Sequence, residues 1–392
     1  MGDYEVMVGN KACAVACKLA RVKVAAAFPI TPQTTITEYL AEIAASGEMP
    51  GFEFVNCEGE LPAQVIVSSA ARVGARSFTC TSGPGLLYMH HPMQETASGR
   101  VPIVMAVVHR GVKSMQPDHS DLMSQQWQGW LHLYVENAQE ILDTIVMSYK
   151  IAEDKRVRLP VAVGYDGYVL SYTAEPVDIP DQAIIDGFLP PYKPPSSMFY
   201  DDPESGGGRR RGGGDGEDRD GNTAWKIHHS AAEGAETVIK EVFAEWNKLI
   251  GRKYGNGMVE EYRTDGADVV MTAMGTVAGS AAAAVDKLWK DGKKVGLVKV
   301  RSFLPFPRND FKAIAKKVQA IGVFDRSIQP GMGGPVYHAL RTTLYDEVHV
   351  PIAGFVGGLS GKEVKVDDFI KVGEKTLAYA KAKKADAHPI WV

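Results

Sequence analysis

Thr31, Glu60 and Arg110 are the side chains whose types and placement could do chemistry, because each stands where an apolar, β-like run ends. Thr31 lies in Phe28-Pro29-Ile30-Thr31-Pro32 and Glu60 in Glu58-Gly59-Glu60, each between a strand-like run and a helix-like one. Such positions open at the mouth of a parallel sheet, where α/β proteins bind ligands. Threonine before proline is a strong helix start, since the hydroxyl caps free N–H groups and proline tolerates the first helical position. The same N–H groups attract anions, so Thr31 reads either as a cap or as the seat of a ligand carboxylate. Glu60 suits a helix start through the dipole alone. Walled in by apolar neighbours, its carboxyl would instead have a raised pKa and share a proton with a basic ring nitrogen. Glu58 competes for that part, and spacing does not choose between them. Arg110 can grip a carboxylate through two parallel hydrogen bonds or simply pair with a neighbouring acid. A hydroxyl and a carboxylate at such a mouth suit an enzyme that holds an oxo acid and tunes a nitrogen heterocycle.

Weaker signals surround these three. Thr81-Ser82-Gly83-Pro84-Gly85 follows a strand-like run, and its glycines would let backbone approach a ligand closely. His119, beside Asp118 and Asp121, either closes a pocket or caps a helix with Ser120. His90-His91 and His228-His229 lack metal-site spacing. Cys13, Cys17, Cys57 and Cys80 show neither CxxC spacing nor an iron–sulfur run, so no metal and no cluster is expected on this chain. Cys13 and Cys17, one helical turn apart, read as buried thiols.

The elements that would position these residues follow from periodicity. From Glu5 to about residue 185, β-branched runs alternate with amphipathic ones, which predicts a parallel sheet covered on both faces. The strand expectations are 22–28, 52–56, 77–81, 101–108 and 160–163; helices are expected over 34–45, 63–73 and 139–152. A domain over 1–185 is followed by a Pro/Gly/Arg-rich linker or insertion over 186–230, which cannot bury enough surface to order itself. Within it Arg209-Arg210-Arg211 sits in a run, Gly206 to Asn222, that holds four arginines and four acidic residues. It reads as a balanced, solvated tract rather than a nucleic-acid tail. A second, smaller α/β domain takes 231–392: a helix over 231–250, then strands over 269–273, 295–300, 320–324 and 348–356, helices over 277–290, 309–318 and 335–343, and an end near Ala382. The fold class is therefore α/β with two doubly wound domains.

Composition fits an ordinary globular chain: 392 residues, 45% hydrophobic, 23% charged. A net charge of −4 offers no attraction for nucleic acid or anionic lipid. The uncharged run Val269 to Val285 is too rich in Ala, Gly, Ser and Thr for a membrane span. With a charged, mixed N-terminus that lacks a secretory pattern, a cytoplasmic location is expected.

Several ordered motifs together resemble a known family. Phe28-Pro29-Ile30-Thr31-Pro32, Glu58-Gly59-Glu60, Thr81-Ser82-Gly83-Pro84-Gly85-Leu86, Arg110, Asp118-His119-Ser120-Asp121 and the run from Leu297 to Pro307 look like the alpha subunit of thiamine-diphosphate-dependent 2-oxoacid:ferredoxin (acceptor) oxidoreductases. The pyruvate enzyme is its best-known member. Phe324-Asp325-Arg326-Ser327 and Gly354-Phe355-Val356-Gly357-Gly358-Leu359 extend the likeness into the second domain, and it breaks down only across the linker.

The resemblance implies a pyrimidine-binding thiamine diphosphate domain followed by a transketolase C-terminal-like domain. Glu60 then matches the family glutamate that bonds the aminopyrimidine ring and favours its imino tautomer, which takes the proton from thiazolium C2. Pro29, Ser82 and Gly83 would line the cofactor; Thr31 and Arg110 match positions that hold the oxo and carboxylate groups of the substrate. Thiamine diphosphate would be shared with a beta subunit that holds the diphosphate and magnesium through a Gly-Asp-Gly…Asn motif. Gly214-Asp215-Gly216 spells part of it here, with no strand before it, and reads as coincidence. Coenzyme A would be the co-substrate. Electrons would leave through iron–sulfur clusters in partner subunits, alongside a gamma subunit, to ferredoxin or another acceptor. The chain would be active only in that assembly.

Substrate expectations rest on one loop. Seven residues separate Arg110 from Asp118, fewer than in pyruvate-type relatives, and Met115, Gln116 and Pro117 stand where those carry a more aromatic segment. With Asp118 and His119 they form the expected substrate loop, which favours an aryl 2-oxo acid such as phenylglyoxylate slightly over pyruvate. An oxalate-using relative carries arginine where Thr31 stands, which argues against a dianion. The competing readings are a pyruvate:ferredoxin oxidoreductase alpha subunit, a thiamine transferase or synthase, and a family member that kept the fold without the chemistry.

Overall fold

A computed structural model describes residues 3–194 and 221–392. Arg209-Arg210-Arg211 and Gly214-Asp215-Gly216 lie outside the described residues. The first half contributes strands β1 (Asp3–Val8), β2 (Val24–Ala27), β3 (Glu53–Asn56), β4 (Ser77–Thr81), β5 (Val104–His109), β6 (Leu131–Tyr134), β7 (Val161–Asp166) and β8 (Ala174–Ile179). The second contributes β9 (Val259–Tyr262), β10 (Val269–Met274), β11 (Val295–Val300), β12 (Ser302–Leu304), β13 (Ile321–Asp325), β14 (Ile352–Val356) and β15 (Ile390–Trp391). One seven-stranded sheet has the order β12-β6-β7-β5-β4-β2-β3, a six-stranded sheet the order β15-β14-β13-β10-β11-β9, and β1 pairs with β8 as an antiparallel ribbon.

Within the first sheet β2 to β7 run parallel, and every residue of β4, β5 and β7 is buried, as helix-covered strands require. The helix after β2, Thr34–Ser46, buries Ile36 and Leu40 on one face of this sheet. The helix His90–Ser98, which follows β4, buries Met93 and Ala97 on the other. Adjacent strands whose connections leave to opposite faces open a crevice at their carboxyl ends. That crevice lies between the ends of β2 and β4, where Thr31 and the Ser82-Gly83 turn are found.

The two halves are not separate bodies. One apolar cluster runs from Ala26, Val67 and Val107 through to Val270, Phe311 and Val336. β12 leaves the second half and pairs antiparallel with β6 of the first sheet. Beside it Arg301, nearly fully buried, grips Glu140 with two hydrogen bonds of 2.7 and 2.8 Å.

Several boundaries differ from those expected. The long helix begins at Gly221, not near residue 231, and runs to Ile250. Its Ala235, Ile239, Phe243 and Trp246 join the core of the first sheet, and Trp246 Nε1 donates to Asp143 at 3.1 Å. The apolar face of this helix therefore packs on the first domain, although a division at residue 231 assigns it to the second. The chain also continues past Ala382 to add β15 beside β14. The strand expected over 348–356 starts only at Ile352.

Candidate active site

Glu60 is the first residue of the helix Glu60–Arg72, which follows β3. It is 6% exposed, whereas Glu58 is exposed, so burial separates the two carboxylates that spacing could not. Burial pushes the Glu60 carboxyl above the usual carboxylate range, only partly opposed by a hydrogen bond from its own backbone. Among the described residues no cation pairs with it. Beneath it lies the bare backbone of Gly85: a Cβ there would stand 2.3 Å from Glu60 Oε1 and 2.6 Å from Thr81 Oγ1. Thr81 Oγ1 and Ser82 Oγ are both buried with no hydrogen-bond partner. A protonatable carboxyl, two unpartnered hydroxyls and a glycine-floored turn fit a polar heterocycle such as the pyrimidine of thiamine diphosphate. Glu60 would hold its ring nitrogen, with Ser82 and Gly83 on the turn beside it.

Thr31 is not a helix cap. The helix starts three residues later, at Thr34, with Gln33 in the capping position and a cis Thr31–Pro32 peptide before it. Long-range contacts shape this turn. Buried Asn10 donates from Nδ2 to the Pro32 carbonyl at 2.9 Å and to Thr35 Oγ1 at 2.7 Å, and Tyr165 donates to Asn10 Oδ1 at 2.8 Å. Gln33 accepts from the Ile30 N–H at 3.1 Å. The residues 28–33, including Pro29, thus project from β2 as a braced loop, and Thr31 is left half-exposed at its tip.

Arg110 follows β5 and meets that loop: its Nη1 donates to the Thr31 carbonyl at 3.1 Å. Among the described residues no acid pairs with its guanidinium, and its buried Nε has no partner. The ordinary alternative for a strand-end arginine, pairing with a neighbouring acid, is absent there. Gly83, at φ +44°, lets the turn lie against Arg110, since a Cβ would fall 3.2 Å from its Cγ and Cδ. Thr31, Arg110, Gly83 and, through Gly85, Glu60 are therefore joined by one chain of contacts at the carboxyl end of the sheet.

The loop after Arg110 does something else. Its Asp118 accepts from the Ser120 N–H at 2.9 Å and, across the domain boundary, from the Ser360 N–H at 2.8 Å. The Pro117 carbonyl accepts from Gly361 N–H and from Arg326 Nη2, each at 3.1 Å. Met115 is 49% exposed and Gln116 is exposed with its Cβ close to Gly361. The span of this loop is used to reach the second domain. His119, 1% exposed, packs its ring beside His109 and Tyr134, and its Nε2 lies 3.6 Å from Asp166 Oδ1. Burial pushes its pKa down to about 4. It caps no backbone group with its side chain.

Sequence reasoning missed Asn10 and Asp166 and named Asp121 and Arg326 only within motifs, without the part all four play in bracing these groups. Asp166, at the end of β7, receives Arg326 Nη1 and Thr276 Oγ1 from the second half. Asp121 and Arg326 stand inside polar runs, Asp118-His119-Ser120-Asp121 and Asp325-Arg326-Ser327, and the bracing part of all four is readable only once each one's distant partner is known. Cys13, Cys17 and Cys80 are buried and Cys57 half-buried. No helix among the described residues is long and apolar enough to cross a membrane.

Comparison with known proteins adds the following. Residues 15–244 match the family model described as "Pyruvate flavodoxin/ferredoxin oxidoreductase, thiamine diP-bdg", and residues 267–369 that described as "Pyruvate:ferredoxin oxidoreductase core domain II". The pyruvate synthase subunit PorA of Pyrococcus horikoshii is 38% identical over 394 residues, 97% of this chain and 96% of the relative. The NADH-dependent phenylglyoxylate dehydrogenase subunit alpha of Aromatoleum evansii is 36% identical over 392 residues, 98% of this chain and 93% of the relative. Two solved structures share the fold. A 2-oxoglutarate:ferredoxin oxidoreductase from Magnetococcus marinus, with 2-oxoglutarate, coenzyme A and succinyl-CoA bound, has a TM-score of 0.70 and 19% identity, over 96% of this chain and 66% of that one. A split gene transketolase, an inactive beta4 tetramer, has a TM-score of 0.58 and 13% identity, over 94% of this chain and 97% of that one.

Proposed function

We propose, from the premise that this chain belongs to the thiamine-diphosphate-dependent 2-oxoacid:ferredoxin oxidoreductase family as an alpha subunit of the PorA kind, that its substrate is a small 2-oxo monoacid, pyruvate first. Its domains are the pyrimidine-binding and transketolase C-terminal-like types, and it works as a catalytic subunit that needs partners. The reaction is oxidative decarboxylation of a 2-oxo acid to an acyl-coenzyme A. The single observation that carries the substrate reading is the Arg110 guanidinium, without an acid partner among the described residues, set against Thr31.

Thiamine diphosphate, when bound, supplies an electron sink for the carbon that loses carbon dioxide. The residues of this chain bind and orient. Arg110 receives the substrate carboxylate, a planar match for its fork of donors. Thr31, beside Arg110, holds the oxo group. Glu60 keeps a proton shared with the pyrimidine ring nitrogen, a task suited to a carboxyl whose pKa burial has raised. Pro29, Ser82 and Gly83 pack beside the ring. The diphosphate, magnesium and iron–sulfur clusters belong to partner subunits in this reading, with a beta and a gamma subunit and ferredoxin or another acceptor downstream.

Phenylglyoxylate is the second reading, kept because the loop between Arg110 and Asp118 is short and one relative carries that name. It has less support, since this loop is committed to Ser360, Gly361 and Arg326 and its Met115 is exposed. The test is a panel of pyruvate, 2-oxoglutarate, branched 2-oxo acids and phenylglyoxylate on the assembled complex, read as coenzyme A-dependent decarboxylation. Pyruvate should give the highest kcat/KM. A clear lead for phenylglyoxylate would reverse the order, and turnover of none would end the reading.

A further inference from the structure

Asp121 lies in the short helix Ser120–Met123, is fully buried, and has no lysine or arginine in ion-pair reach among the described residues. Its carboxylate serves four donors instead. Oδ2 accepts from the backbone N–H of Arg110 at 3.0 Å and from that of Gly83 at 3.2 Å. Oδ1 accepts from the N–H of Leu122 at 2.7 Å and lies 2.8 Å from Nδ1 of His109. The imidazole has its own fitted space, because a Cβ on Gly164 would stand 2.5 Å from His109 Nε2. A buried carboxylate without a full counter-charge is a costly way to join two backbone segments unless the junction matters. These two segments carry the guanidinium for the substrate and the turn on which Glu60 rests.

We propose that Asp121 is a positioning residue: by clamping the Gly83 and Arg110 N–H groups with one carboxylate oxygen, it fixes the substrate-binding guanidinium relative to the cofactor-binding turn. The proposal rests on Arg110 as the carboxylate site. It assigns no contact between Asp121 and the substrate. It requires that loss of the clamp raise the KM for the oxo acid and leave that for coenzyme A unchanged.

The test compares Asp121→Leu, Asp121→Ser, Asp121→Asn and Arg110→Lys in the assembled complex, with assembly checked by co-purification. Asparagine keeps one acceptor oxygen for Gly83 and Arg110, and its amide can donate to the other tautomer of His109, although the Leu122 N–H then loses its acceptor, a local cost that leaves the clamp itself in place. Asp121→Leu should raise the KM for the 2-oxo acid about tenfold or more, the effect of leaving buried donors without an acceptor. The KM for coenzyme A should stay the same, and Asp121→Asn should remain within about threefold of the parent. If the leucine variant does not assemble, the serine variant, too short to span both donors, is read by the same criteria. Arg110→Lys separates the two levels. A raised oxo-acid KM there, with an unchanged one in the Asp121 variants, overturns the positioning role alone. No change in Arg110→Lys removes the substrate reading and this proposal with it. Equal rises in both KM values would mark a merely structural defect and also overturn it.

Discussion

Gly85 gives Glu60 its floor: a Cβ on the glycine would lie 2.3 Å from the carboxyl oxygen Oε1. Two atoms cannot share that space, so Gly85→Ala must push the Glu60 carboxyl aside or lift the turn. Displacement of a positioned group by about 1 Å costs on the order of a hundredfold in rate. The alanine variant should therefore show a comparable fall in coenzyme A-dependent turnover and need more added thiamine diphosphate to reach its maximum. Its overpacking cost, about 1–3 kcal/mol, would appear as a modest drop in thermal midpoint.

Glu60→Gln keeps the shape and removes the titrating proton. Turnover of the assembled complex should fall about a hundredfold to ten-thousandfold, the range for loss of a positioned acid or base. Stability should move the other way. Because burial raises the folded pKa, the unfolded chain releases this proton first, and ionisation of Glu60 opposes folding once pH passes the ordinary carboxylate value. The isolated glutamine variant should thus match the parent in thermal midpoint near about pH 4 and exceed it near about pH 8.

Arg326→Met tests the latch between the halves. Burial would raise the Asp166 carboxyl, but the Arg326 charge and then the His119 hydrogen bond outweigh it and hold the group well below the usual range. The resulting stability is present above the unfolded value, about 3.9, and is lost as pH falls through the folded one. Without Arg326 the carboxylate is buried and unpaired, at a cost of about 3–5 kcal/mol. The deficit in thermal midpoint should be largest near about pH 8 and shrink toward about pH 5, as Asp166 takes up a proton.

Asn10→Leu removes the brace of the Thr31 loop. It leaves the Pro32 carbonyl and the Tyr165 hydroxyl without their partner, each buried loss costing about 1–3 kcal/mol. The chain should unfold at lower denaturant. In the assembled complex the KM for the oxo acid should rise more than that for coenzyme A, because Thr31 loses its support.

The sheet-and-helix alternation was legible because β4, β10 and β11 are compact β-branched or apolar runs, and the helices at Thr34 and Val277 carry regular apolar spacing. β6 and β12 were not, since Leu131-His132-Leu133-Tyr134 and Ser302-Phe303-Leu304 are short runs that become strands by pairing with distant segments, β6 with β7 and β12 with β6. Thr31, Glu60 and Arg110 were noticed from type and position, and in the structure contacts through Gly83 and Gly85 link them. The choice between Glu58 and Glu60 needed burial, and the Thr31 cap failed because Asn10 and Gln33, acting from a distance and from within the loop, set the turn. Asp121 was visible only as part of a motif; its role lies in two backbone N–H groups that no sequence pattern displays.

The pairing of β12 with β6 also bears on biosynthesis. During synthesis the first sheet emerges from the ribosome with β6 as an open edge, and it stays unpaired until residue 304 has been made. A fragment that stops before Ser302 would expose that bare ladder, together with half of the shared apolar cluster, to other nascent chains. A cut placed beyond Leu304 would keep that edge covered within one fragment.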